Sequence, residues 1–189
     1  MWNFDEKDLV KTFEAKRYLD ESKAIVCEIK QVKFATTPNG SKQVVLEVEP
    51  EGYNPIGLWI VYESARVGQL DWVVSKLNQL CAIIGVKPQE LETKAVGKKV
   101  GMFLKAKLSQ NKRYINFDLD GVFYPETKKT TKEEKEGLEP ETYIYYEKRY
   151  ALEPKLERIR EDENSISETV FNNTTETTKT DDDDDDFPF

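Results

Sequence analysis

The chain has no histidine among its 189 residues. That removes the side chain behind most acid–base relays, activated nucleophiles and imidazole metal sites. Two carboxylates keep a spacing that could do chemistry. Asp118 and Asp120 lie two residues apart, which places both on one face of a strand. Such a pair could hold Mg²⁺ for phosphodiester cleavage. No third carboxylate, general base or nucleophile is placed beside it by spacing. The pair therefore reads better as a solvated strand end next to Gly121. No glycine-rich phosphate loop is present, which argues against ATP-driven unwinding. Neither a metal nor an organic cofactor is expected, and the chain reads as a binding protein, not an enzyme.

A second set of residues interleaves aromatic rings with cations. Sequence-tolerant binding of a single strand needs faces for the bases and positive charge along the backbone. Lys30, Lys33 and Phe34 come from a first strand and its loop, with Lys42 across the hairpin. Tyr53, Trp59 and Tyr62 come from a middle strand and its flanks. Phe103, Lys105 and Lys107 occupy the outward register of a fourth strand. Lys112, Arg113 and Tyr114 lie at the turn into a fifth. The expectation leans most on Trp59, Phe103, Tyr114, Lys105 and Arg113. A second cluster, Tyr143, Tyr145, Tyr146, Lys148, Arg149 and Tyr150, reads better as a strap on the body than as a second contact.

The elements that must position these residues follow from periodicity. Ile25, Cys27 and Ile29 alternate with polar neighbours, so residues 23–36 read as a strand. Pro38-Asn39-Gly40 marks a turn. Val44, Leu46 and Val48 alternate in residues 41–49, completing a hairpin. Residues 56–63 form a third strand. The period then changes. Leu70, Val73, Val74, Leu77, Leu80, Cys81 and Ile84 recur at helical spacing, with Gly85 as the stop and Pro88 beyond it. Residues 99–108 and 114–123 return to strand character, the inward positions being Val100, Met102, Leu104, Ala106 and Leu108, then Ile115, Phe117 and Leu119. Three strands, a helix and two strands predict a mainly β protein: a single five-stranded OB barrel with one helix between strands three and four. In that fold the loops near 33–42 and 109–113 would flank the binding face.

Charge divides the chain. The net charge is −8 from 28 Lys and Arg against 36 Asp and Glu. Residues 151–189 hold 13 of the acids and 4 of the bases. The tail is therefore −9 and residues 1–150 are +1, so the acidic pI of about 4.9 belongs to the tail. A body near neutrality can still carry a basic face for a polyanion. The expected organisation is a binding domain over 1–150, including an amphipathic N-terminal segment with Phe4, Leu9, Val10 and Phe13, and a disordered acidic tail over 151–189. Cys27 and Cys81 sit in apolar contexts and read as buried free thiols of a reducing compartment. The longest uncharged apolar stretches, near 52–62 and 77–86, fall far short of the ~20 residues a spanning helix needs. No apolar leader region opens the chain. A cytoplasmic protein without membrane contact is expected.

The chain ends Asp181, Asp182, Asp183, Asp184, Asp185, Asp186, Phe187, Pro188, Phe189. Six like charges extend the backbone. Its advance of ~3.3–3.6 Å per residue imitates the ~3.4 Å phosphate spacing of a DNA strand. A solubilising tail would avoid two terminal phenylalanines. Pro188 restricts Phe187, and the terminal carboxylate suits a basic-rimmed pocket. This tip resembles the C-terminal tip of bacterial single-stranded DNA-binding proteins, where an aspartate run precedes Ile-Pro-Phe; here Phe187 stands at the Ile position. The likeness covers about nine residues. The body differs from that bacterial family in its opening strand, its loop lengths and its missing Gly/Gln/Pro-rich linker. It is more similar to bacteriophage single-stranded DNA-binding proteins with one OB fold and an acidic tail.

The resemblance implies a protein of replication, recombination and repair in the host cytoplasm. Self-association into a homo-oligomer is open to it, but the bacterial homotetramer is not expected. It would coat single-stranded DNA and recruit replication or recombination proteins through the tip. The acidic tail would fold back on the basic groove and compete with DNA. The alternative is an interaction adaptor of a replication complex with little DNA affinity of its own. A basic-aromatic face separates the two, because an adaptor does not need one.

Overall fold

The computed structural model describes residues 16–158. The amphipathic N-terminal segment, most of the acidic tail and the whole Asp181–Phe189 tip lie outside the described residues. The fold is mainly β. Its strands are β1 (Lys23–Thr36), β2 (Lys42–Pro50), β3 (Ile56–Ser64), β4 (Gly68–Gln69), β5 (Lys99–Leu108) and β6 (Ile115–Phe123). They form one antiparallel sheet in the order β4-β3-β2-β1-β5-β6, curled into a half-barrel. The periodicity predicts five strands, and the structure has six. The extra strand, β4, has two residues and pairs only with Glu63 and Ser64, too short to carry a periodic signal.

Strand β1 makes the curl. Lys23 to Glu28 pair with β5, and Cys27 to Thr36 pair with β2. The register shifts between Ile29 and Gln31. Such a bulge bends and twists a strand. It also moves the inward set from Cys27 and Ile29 to Val32, and all three are buried. The inner face continues through Val44, Leu46, Val48, Leu58, Val100, Met102 and Leu104. Cys27 and Cys81 are free and buried, and burial pushes the Cys27 thiol up to about 12.

Helix α1 (Asp71–Ile84) lays Val73, Leu80, Cys81 and Ile84 against this core. Gly85 ends it in a left-handed conformation at φ 67°, and the Val86 N–H returns to the Cys81 carbonyl at 3.0 Å, a reciprocal C-cap. A 3₁₀ turn (Pro88–Glu90) and a single turn α2 (Leu91–Lys94) follow; Leu91 is buried.

Two further helices follow β6, and the second covers the outer face of β5 and β6. Helix α3 (Thr131–Glu136) starts with a capping box between Thr130 and Glu133. Glu133 is buried, and its other oxygen accepts from the Thr142 N–H at 2.7 Å and hydroxyl at 2.6 Å. It thereby joins α3 to helix α4 (Glu141–Ala151). Burial alone would raise the Glu133 carboxyl, but these hydrogen bonds outweigh it and hold it below the usual carboxylate range. Helix α4 is the expected tyrosine strap. Tyr146 stacks on Phe103 with centroids 4.4 Å apart, and Tyr143 meets Phe123 edge-on at 5.1 Å. Gly101 makes room for Phe123: a Cβ there would stand 2.2 Å from the ring.

The ordered body runs past residue 150. Glu153 accepts from Ser22 Oγ at 2.5 Å and Lys105 Nζ at 3.0 Å. The Leu156 N–H donates to the Asp20 carbonyl at 3.2 Å. Among the described residues, no helix is long and apolar enough to cross a membrane.

Phe103→Ala should lower stability by about 3–5 kcal/mol in urea unfolding, whereas Trp59→Ala should stay within about 0.5 kcal/mol. The phenol of Tyr150 gives a second expectation. Burial, followed by its hydrogen bond to Asp120, pushes its pKa well above the ordinary value. Both folded and unfolded chains keep this proton below about pH 10. Above that the unfolded chain ionises first, so stability falls as pH rises. In an alkaline titration followed at the phenolate band, Tyr150→Phe should leave the reversible part of the curve unchanged.

Candidate nucleic-acid interface

Strands β3 and β6 end the long part of the sheet and face one another without a hydrogen-bonded ladder. Two clefts fill the seam between them. The first, of about 360 Å³, runs between Trp59 on one side and Tyr114 and Asn116 on the other, with Tyr18 and Arg158 at its rim. The second, of about 310 Å³, lies between Trp59, Trp72 and Lys76 and the Asp118–Asp120 stretch of β6. Trp59 belongs to both.

Trp59 owes its position to strand alternation. Lys33, Val45 and Trp59 are register partners across β1, β2 and β3, so they form one row on the outer face. The ring is 61% exposed. It lies over Gly57, where a Cβ would come within 2.8 Å of Trp59 Cη2. The glycine therefore lets the indole lie flat on the strand. Tyr114, 60% exposed, closes the turn between β5 and β6. Its N–H donates to Ser109 Oγ at 3.0 Å, and its carbonyl accepts from the Ser109 N–H at 2.8 Å. Asn111 Oδ1 accepts from the Arg113 N–H at 3.1 Å, and Lys112 takes a left-handed φ of 54°. The closed turn holds Lys112 and Arg113 exposed beside Tyr114.

The seam thus joins Trp59 and Tyr114 in one cleft, with Lys112 and Arg113 exposed on the turn next to Tyr114 and Lys33 on the same outer row as Trp59. Other expected members go elsewhere. Phe103 is the clear correction. It does point outward from β5, but α4 covers it to 1% exposure, so it offers no stacking face. Lys105 is half-buried and paired with Glu153, just past the end of α4, at 3.0 Å. Phe34 and Tyr62 sit at the other sheet face: Phe34 is in register with Val44 and Ile60, and the two rings meet edge-on at 6.3 Å beside α1. The bulge in β1 put Phe34 there by inverting the alternation. Tyr53 is half-buried and accepts from Lys23 Nζ at 3.0 Å. Lys30 bridges Glu28 and Glu49 at 2.8 and 2.9 Å, Lys42 pairs with Glu63 at 2.9 Å, and Lys107 pairs with Asp118.

Four seam residues escape the sequence reading. Trp72, 64% exposed, lies in the first turn of α1, off the apolar stripe that defined the helix. Its position off that stripe was the available signal. Lys76 lies one turn further on, its Nζ 4.7 Å from the Trp72 ring centroid and 2.9 Å from the Leu119 carbonyl. Burial lowers its pKa, against the pull of Asp120 and Asp118. Tyr18 and Arg158 stack at 5.4 Å. They come from opposite ends of the described chain, and no local pattern announces such a pair.

The Asp118 and Asp120 pair is engaged by protein groups. Asp118 contacts Lys107, and Asp120 accepts from the Tyr150 hydroxyl at 2.8 Å. Among the described residues, no cluster of three or more Cys, Asp or Glu side chains could hold a metal ion.

Gly57→Val should swing the Trp59 ring off the strand. With Trp2 and Trp72 replaced by Phe, Trp59 is the sole indole. Acrylamide should then quench its emission more strongly once Gly57→Val is added, while urea unfolding changes little.

No family model matches the chain, and no curated protein matches it. The chemistry of the seam therefore carries the functional assignment.

Proposed function

We propose that this protein binds single-stranded DNA along the β3/β6 seam and carries out no reaction of its own. The observation that supports this best is the pair of exposed rings, Trp59 and Tyr114, facing across one cleft. Exposed aromatic faces beside cations are what a sequence-tolerant single-strand site requires. Lys112 and Arg113 adjoin Tyr114 on its turn, and Arg158 stands at the cleft rim. The bases would stack on the rings while the phosphates run past these cations.

The architecture agrees with an OB barrel. The strand order, the bent first strand shared by two neighbours, and a helix between β3 and β5 all fit that fold. In it, single strands bind across the strand two–three face and its flanking loops, which is where Trp59 and the 109–114 turn lie. The Asp181–Phe189 tip supports a role in replication, recombination and repair by its resemblance to the bacterial tip. Replication or recombination partners would dock on it, and its negative charge would compete with DNA for the same cations.

Fluorescence anisotropy with labelled oligo-dT, duplex DNA and single-stranded RNA across a salt series tests this. Oligo-dT should bind more tightly than the duplex and weaken as salt rises. Stacking is worth ~1–3 kcal/mol per base, so Trp59→Ala with Tyr114→Ala should cost at least about tenfold in affinity. Truncation after residue 180 should tighten binding at low salt. Absence of oligo-dT binding by both the full and the truncated chain would overturn the reading.

A further inference from the structure

The second cleft carries a chemistry that backbone binding does not explain. A site for phosphates would be lined with cations. Here the β6 wall is Asp118 and Asp120, facing Trp59, Trp72 and Lys76. Lys107 offsets Asp118, while the partner of Asp120 is the neutral Tyr150 hydroxyl, so Asp120 is the carboxylate that repels a phosphodiester and keeps the strand's backbone outside. The rings still favour a flat heterocycle. The occupant that satisfies both demands is a nucleobase entering edge-first.

The polar groups in the cleft are oriented. The Tyr150 hydroxyl bonds Asp120 Oδ2 at 2.8 Å, which anchors that carboxylate, and a carboxylate accepts at several further lone-pair positions. Asp120 is the residue skipped where the β5–β6 register shifts, between Gly121 opposite Phe103 and Leu119 opposite Leu104. Lys76 Nζ spends one donor on the Leu119 carbonyl at 2.9 Å and has two more. The cleft therefore offers a cationic donor that reaches from α1 to the β6 backbone at Leu119 and an anionic acceptor on β6 one residue further on.

Base edges differ in how they match that pair. Guanine presents a carbonyl acceptor next to two N–H donors. Thymine presents one N–H between two carbonyls, and a carboxylate facing it meets a lone pair on either side. Cytosine and adenine offer a single amino donor beside acceptors. We infer that the cleft bounded by Trp59, Trp72, Lys76 and Asp120 is a base-selective subsite that prefers guanine to thymine in a bound single strand. The guanine O6 accepts from Lys76, and N1–H and the 2-amino group donate to Asp120. This inference rests on the single-strand reading above and adds to it a sequence preference.

The test compares three strands of about 15 nucleotides in lithium buffer: oligo-dT, repeats of dT-dT-dG, and repeats of dT-dT-dI, in which inosine lacks the 2-amino group. Wild type, Asp120→Asn and Lys76→Met are each measured by anisotropy, with urea unfolding to establish that the variants fold. The guanine strand should bind at least about fivefold more tightly than oligo-dT, given that one bidentate base contact discriminates by ~1–3 kcal/mol. The inosine strand should fall between. Either variant should shrink the gap to less than about twofold. Equal wild-type affinity for the guanine strand and oligo-dT overturns the subsite and leaves single-strand binding standing. A gap that survives in a folded variant also overturns it. Failure of every strand to bind overturns both readings.

Discussion

One strand has to serve two neighbours that point in different directions. Strand β1 pairs with β5 over Lys23 to Glu28 and with β2 over Cys27 to Thr36. A straight strand could do this only in a flat sheet. The register shift between Ile29 and Gln31 bends it, and a bent central strand brings the far edges of the sheet around towards each other. The facing of β3 and β6 across an open seam follows from that bend. So does the burial of Cys27, Ile29 and Val32 on one continuous inner face, because the extra residue resets the alternation as the strand turns.

The open seam and the covered outer face solve different problems. An unpaired strand edge exposes backbone donors and acceptors that invite association. On β6, Lys76 Nζ satisfies the Leu119 carbonyl, and the large rings of Trp59, Trp72 and Tyr114 stand over the gap. On the outer face of β5 and β6, Phe103 and Phe123 make an apolar patch that α4 buries with Tyr143, Tyr146 and Tyr150. Aromatic residues thus do two jobs on one sheet. Whether a ring is a platform or a core member depends on what packs over it, and the strand that bears it carries no mark of the difference.

The polar groups around the strap show the same economy of partners. No buried side-chain nitrogen or oxygen lacks a hydrogen bond among the described residues. Glu133 joins two helices through Thr130 and Thr142. Ser22 accepts from the Ala106 N–H at 3.0 Å and donates to Glu153, which in turn holds Lys105. A buried carboxylate left without such donors would carry a large desolvation cost. These chains of contacts tie residues 130–156 to the sheet, so the segment behaves as part of the body.

Much of the fold was legible from local pattern. Period two located the five long strands, and period 3.6 with Gly85 located α1, because burial of one face imposes those spacings on any strand or helix. Tyr114 was legible as outward for the same reason. Periodicity placed neither α3 nor α4 as a helix. Only the tertiary structure decided the rest. A one-residue bulge sent Phe34 to the face opposite Trp59, and packing of α4 took Phe103 out of reach of any ligand. It also joined Trp72 and Lys76 of α1 to Asp118 and Asp120 of β6 in one cleft. By itself the sequence determined which residues share a face within each unbroken run of alternation or helical repeat, since that spacing is a property of the backbone. Which elements then cover those faces depends on contacts between residues far apart in the chain, and no local periodicity encodes them.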